Sequence, residues 1–196
     1  KRRNMMKACK RGDVDRLEQV LASGADPNLS GMLGFSAIMV ATMNGRTDIV
    51  RRLLAAGAEA DRPNQAGETS LMKAAEDGRG ELVEMLLAAG ADPGRADPQG
   101  LTPLMRAAGR RPIWSVNEQE ERERVVHALA EAGAGVNVTG PGGITAIMGA
   151  ALFGRADVIR CLARFGADVN VAGGPFTAGS CLTGVTPLML AALEDH

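Results

Sequence analysis

The chain has no tyrosine, one tryptophan and four phenylalanines in 196 residues. That is a thin supply of large anchors for one globular core. It has two histidines, His127 and His196, and three cysteines, Cys9, Cys161 and Cys181. So few His and Cys exclude most zinc sites and most nucleophilic triads. An odd, widely spaced cysteine set is not a disulfide framework and fits a reducing, cytoplasmic setting. Neither sign of charge dominates: 22 Lys+Arg stand against 23 Asp+Glu, a net charge of −1. A surface built mainly for polyanions is therefore not expected. No apolar run approaches the roughly 18 residues of a membrane span. The opening Lys1-Arg2-Arg3-Asn4 leads into no apolar stretch of a secretory leader.

What the chain does have is alanine, 32 of them, and a repeat. A Gly-Ala-Asp-like phrase begins at Gly24, Gly57, Gly90, Gly133 and Gly166, at intervals of 33, 33, 43 and 33 residues. A second marker, Gly34, Gly67, Gly100, Gly143 and Gly184, steps by 33, 33, 43 and 41. The unit is thus 33 residues, with insertions of ten and eight. Ser36, Thr69, Thr102, Thr145 and Thr186 stand where a hydroxyl would cap a helix N-terminus. Pro103 and Pro187 follow at the first helical position, where no N–H is needed. Each unit predicts a short helix ending at a glycine such as Gly45, Gly78 or Gly154, then a second helix ending at the Gly-Ala-Asp phrase. About ten turn-rich residues follow. Helices this short do not survive alone, so stacking of neighbours must supply the core.

Thr102-Pro103-Leu104 and Thr186-Pro187-Leu188, the alanine pairs 74–75, 107–108, 150–151 and 191–192, and the Gly-Ala-Asp ends resemble the ankyrin-repeat family over essentially the whole chain. The resemblance implies an all-α repeat solenoid of stacked helix-turn-helix units with β-hairpin fingers. It also implies a single domain over 1–196. Its units fall at about 4–30, 31–63, 64–96, 97–139, 140–180 and a partial 181–196. One departure is systematic. Where the family usually has histidine after Thr-Pro-Leu, this chain has Met39, Met72, Met105, Met148 and Met189, with Met6 in the first unit. The methionines read first as a core stripe and second as a soft recognition strip.

The irregular places carry the remaining information. The first unit opens with Lys1, Arg2, Arg3, Lys7, Lys10 and Arg11. This reads as a polar cap for the array, with docking of an acidic partner or nucleic acid as the alternative. The ten-residue insertion lies near 110–124. There Ser115 and Glu118 read as a capping box and Glu120 with Arg124 as a helical pair, so the second helix is expected from about Ser115 to Glu131. Trp114 just outside it is a packing staple or a binding anchor. The eight-residue insertion near 171–183 is Gly-rich around Phe176, which either folds back or is displayed. The sixth unit has only its first helix, leaving an apolar side for another chain or a further segment to cover.

No phosphate-binding glycine loop, no Cys-x-x-Cys and no His-x-x-x-His spacing occurs. Cys161 reads as a buried small hydrophobe and His127 as an outer-surface residue. Glu68, Glu76 and Asp77 are not a carboxylate pair with separated environments. No enzyme, metal or cofactor is expected.

The resemblance implies binding instead. Partners of such proteins contact the fingertips and the exposed ends of the first helices, which line a concave face. Carried onto this chain, the fingertip candidates are Met32, Leu33, Phe35, Gln65, Glu68, Gln99, Leu101, Ile144 and Val185. The helix-end candidates are Met43, Asn44, Glu76, Asp77, Arg110, Leu152 and Phe153, with Trp114 and Phe176 from the insertions. About half of the apolar ones are expected to be exposed. The leading expectation is a module for another protein or peptide. A regulatory or self-associating segment of a longer enzyme or channel, meeting its partner through the incomplete last unit, is the second. A small phosphate-containing ligand or nucleic acid is the third, and nucleic acid is disfavoured by the balanced charge and scarce aromatics. Asn28, Asn137 and Asn170 are expected to hydrogen-bond the turns before the fingers.

Overall fold

A computed structural model describes residues 1–109, 118–171, 186 and 187, with only the backbone of 118 and 119. The chain forms two compact units, Lys1–Asp92 and Pro93–His196.

The first unit stacks three helical hairpins. They are α1 (Arg2–Arg11) with α2 (Val14–Ala22), α3 (Ala37–Met43) with α4 (Thr47–Ala55), and α5 (Ser70–Glu76) with α6 (Gly80–Ala88). The first helices α1, α3 and α5 pack side by side in sequence, and α2, α4 and α6 form the second row. The described part of the second unit repeats the plan with α7 (Pro103–Ala108), α8 (Glu118–Glu131), α9 (Ala146–Leu152) and α10 (Ala156–Arg164). There α7 packs on α9, and α8 on α10. The long α8 ends at Glu131, as the sequence predicts. Its Arg124 pairs with Glu121 at 3.6 Å. Ser115 and Trp114 lie outside the described residues, as do Arg110, Phe176 and Val185. Of the partial sixth repeat only Thr186 and Pro187 are described.

Small residues make the close stacking possible. Ala41, Ala74, Ala107 and Ala150 are fully buried on the first helices. A Cβ on Gly149 of α9 would come within 3.2 Å of the Gly109 backbone. Met39, Met72, Met105 and Met148 are buried, so these four are core; Met6 is half-buried, and Met189 lies outside the described residues.

The hydroxyl caps hold in three repeats. The Oγ atoms of Ser36, Thr69 and Thr102 each accept from the backbone N–H three residues on, at 3.3 Å. At Thr69 the methionine returns the bond, because the Thr69 N–H donates to Met72 Sδ at 3.5 Å. Thr145 sits at the N-cap of α9, but its buried hydroxyl has no partner among the described residues. The capping expectation is corrected there.

The turns that carry the chain from one repeat to the next are tied by asparagine. Asn28 Nδ2 donates to the Gly57 carbonyl at 3.3 Å, and its Oδ1 accepts from the Glu59 N–H at 2.8 Å. Asn137 makes the same clasp, donating to the Gly166 carbonyl at 3.0 Å and accepting from the Asp168 N–H at 2.8 Å. These asparagines therefore bridge to the turn of the following repeat rather than serving only their own. The Asn170 backbone N–H donates to Asp168 Oδ1.

Candidate functional site: the finger and first-helix face

Among the described residues four fingers project between repeats, and they are built in two ways. Two are held by an Asx turn. Asn64 Oδ1 accepts from the N–H groups of Ala66 and Glu68 at 2.9 and 3.0 Å, and Asp97 Oδ1 accepts from Gln99 and Leu101 at 2.9 Å each. The other two begin at Gly31 and Gly140 in the same register, with no side chain to cap them. They close through backbone bonds to Phe35 and Ile144, at 2.7 and 2.8 Å, over a single 3₁₀ turn. Among the described residues no finger is a β-ladder; the nearest feature is an isolated bridge between Ser30 and Ser36.

In the first finger the central residue is Leu33, at φ 56° and ψ 21°, a left-handed conformation that side chains avoid. The matching position of the last finger is Gly142, at φ 67°. Leu33 is nevertheless 64% exposed and Met32 is 87% exposed. Met43, at the end of α3, is 40% exposed. Below them a groove of about 660 Å³ runs between α1, the first finger and α3. Met6, Met32, Phe35, Val40 and Met43 form its apolar floor, Arg2, Arg3, Lys7 and Lys10 its rim, and Gly31 and Asn44 complete it. The Asn44 amide is held by its own helix, donating to the Val40 carbonyl at 2.8 Å.

The structure thus brings together the predicted residues Met32, Phe35, Met43 and Asn44. It adds Val40, Met6 of the methionine stripe, and four cations expected as a cap. Their signal was present: Arg3, Lys7 and Lys10 follow the i, i+4, i+7 spacing of one helix face.

The other candidates lie elsewhere. Gln65 and Gln99 are exposed at their fingertips, and the Gln65 N–H donates to the Leu33 carbonyl at 3.0 Å, joining two fingers. Glu68 and Glu76 both hold Lys73, with Nζ–O distances of 2.6 and 3.4 Å, and all three side chains are about one-fifth exposed. Asp77 meets Arg79 at 3.5 Å. These carboxylates are matched by cations of their own repeat. In the second unit, Ile144 and Leu152 pack with Ile159 and Val171 on the buried Met148 and Ala151. Leu101 and Phe153 are half-buried. Of the eight described apolar candidates, three are exposed: Met32, Leu33 and Met43.

Among the described residues no group of three or more His, Cys, Asp or Glu is placed to hold a metal ion. Burial pushes the Cys9 thiol up to about 12, against a smaller lowering by a backbone hydrogen bond. Burial also raises Cys161, with Glu123 adding to it. Both thiols are therefore protonated and unreactive near neutral pH. His127 is exposed on α8, 3.3 Å from Glu131 and edge-on to the Phe165 ring at 5.3 Å between centroids. No helix of the described residues is long and apolar enough to cross a membrane.

Comparison with known families agrees with this architecture. A three-copy ankyrin-repeat model matches residues 5–97, and a single ankyrin-repeat model matches residues 142–173. The chain belongs to the ankyrin-repeat family. Such repeats generally mediate protein–protein interaction, and domains built from them are typically non-catalytic. The stretch between the two ankyrin matches holds the fourth repeat, whose inserted residues break the 33-residue period while α7 and α8 keep the helical pair. No curated protein matches the chain at a significant level.

Proposed function

We propose that this ankyrin-repeat chain is a binding module for a partner protein or peptide, which docks on the face formed by the fingertips and first helices of residues 1–92. That face is the one the family presents as its concave side. One observation carries the reading: Met32 and Met43 are exposed along a groove, and beside Met32 the exposed Leu33 is held in a left-handed conformation. Folding alone disfavours all of this. Exposed apolar clusters beside a groove mark interaction surfaces, and sparsely populated backbone conformations concentrate at binding sites. Two free buried thiols fit a reducing, cytoplasmic location.

The test is a photo-crosslinking amino acid placed at position 32 and, as a control on the second-helix row, at exposed Arg51. Expression in cells should give protein adducts from position 32 that position 51 does not give. Equal adducts from both, or none from position 32, would remove the finger face as the docking surface.

A further inference from the structure

The cations around the groove are not accounted for by folding. No ion pair within 4 Å engages Arg2, Arg3, Lys7 or Lys10 among the described residues, although the exposed Arg51 and Arg52 and the half-buried Arg79 all have one. Arg52 meets Glu18 of α2, so this acidic side chain of the first repeat is engaged away from the groove. Helix polarity deepens the point. Lys10 lies in the last turn of α1, where a cation favours the negative end of the helix dipole. Arg2, Arg3 and Lys7 have no such role.

The floor of the same groove is apolar and soft. It is lined mainly by thioether and aliphatic groups, and methionine adapts to differently shaped apolar partners. Its volume of about 660 Å³ falls inside the roughly 300–1,000 Å³ of binding sites that swallow several large groups. An occupant must therefore bring apolar side chains for the floor and negative charge for the rim. A nucleic acid brings the charge, but the floor offers it one half-buried ring, Phe35, on which to stack.

Resting on the docking reading above, we propose that the groove between α1, the first finger and α3 captures an acidic amphipathic peptide segment: Leu, Met, Phe or Ile side chains flanked by Asp and Glu. The apolar residues fill the space over Met32 and Met43, and the flanking carboxylates meet Arg2, Arg3, Lys7 and Lys10. Charge sets the orientation and the encounter rate, and the floor sets the residence time.

The experiment selects peptides of about sixteen residues from a random displayed library on the full chain, against two variants. Arg3→Glu/Lys7→Glu reverses two rim charges on exposed positions. Met32→Ser/Met43→Ser removes the floor. Circular dichroism and urea unfolding establish that both remain folded. The expected result is a pool rich in Asp and Glu with at least two large apolar residues. Synthetic members should bind roughly tenfold or more weakly to either variant and weaken with salt. Exchanging their carboxylates for Lys should restore binding to the charge-reversed variant.

Enriched peptides without a negative bias, or indifferent to both variants, overturn the acidic-segment proposal and leave the docking reading standing. So does a pool with no enrichment while position 32 still crosslinks to protein. Tighter binding of a single-stranded oligonucleotide than of any selected peptide would reassign the rim to nucleic acid. Loss of both peptide enrichment and crosslinks removes the docking reading with it.

Discussion

Leu33 holds a conformation that glycine adopts freely, and the corresponding residue of the last finger is Gly142. A left-handed β-carbon costs roughly 1–2 kcal/mol, part of which glycine returns as unfolded-state entropy. Leu33→Gly should therefore raise the unfolding free energy by up to about 1 kcal/mol, read as a higher urea midpoint, while reducing partner adducts at position 32. A lower midpoint would mean that the Leu33 side chain packs in the native state. Asp97 gives the second prediction at this scale. Its desolvation raises the carboxyl, but the Leu101 N–H, the Arg106 guanidinium and the Gln99 N–H together outweigh it and hold the pKa below the usual value. A lowered native pKa adds stability that is fully present above the unfolded value near 4 and is lost as pH falls through the native one. Asn64 performs the same turn without a charge, so Asp97→Asn keeps the acceptor and removes the ion pair with Arg106. It should destabilise the chain by about 1–2 kcal/mol at pH 7 and flatten the acid limb of the stability profile. An unchanged acid limb would remove Asp97 as its source.

Between helices, the recurrent device is an arginine that the sequence displays and the reading passed over. Arg46, Arg79 and Arg155 stand at the N-termini of α4, α6 and α10 with nearly the same backbone angles. With Arg122 they step by 33, 43 and 33 residues, the repeat's own intervals. Arg46 Nε donates to the Lys10 carbonyl at 3.4 Å, and Arg79 Nη2 to the Met43 carbonyl at 3.5 Å. Each binds the C-terminal end of the first helix of the previous repeat, where carbonyls lack partners. In the longer α8, Arg122 lies inside the helix, buried, and donates instead to the Ala107 carbonyl of α7, the first helix of its own repeat, at 3.2 Å. Gly45 leaves the room for this contact: the Arg79 guanidinium occupies the place where a Cβ would stand. Gly45→Ala should therefore cost more than Gly57→Ala, which shares a positive φ but opens into empty space. The backbone share of each is about 1 kcal/mol. In an Arg79→Ala background the excess should vanish, and an excess that persists would show that Arg79 is not what Gly45 accommodates.

Helix pairs, their glycine ends and the methionine core were legible because the 33-residue period puts like residues in like places. The first-unit groove was half legible. Fingertip positions carried the apolar half, but the rim cations were read along the chain as a cap, when only the packing of α1 on α3 sets them beside Met32 and Met43. Conversely, Ile144 and Leu152 read as surface and are drawn onto the Met148 cluster, a tertiary effect no periodicity reveals. In a linear array each repeat leans on its neighbours alone, so the whole chain is sensitive wherever a first helix is overpacked. Ala41 lies fully buried on α3, which packs on both α1 and α5. Ala41→Leu has no space to grow into and should cost ~1–3 kcal/mol. Amide exchange should quicken in α1, α3 and α5, because the wedge acts on the two interfaces α3 makes. The same change at exposed Ala88, on the second-helix row, should leave exchange in α1 and α3 as it is. Matching exchange in the two variants would mean that side-by-side packing of the first helices does not hold the first unit together.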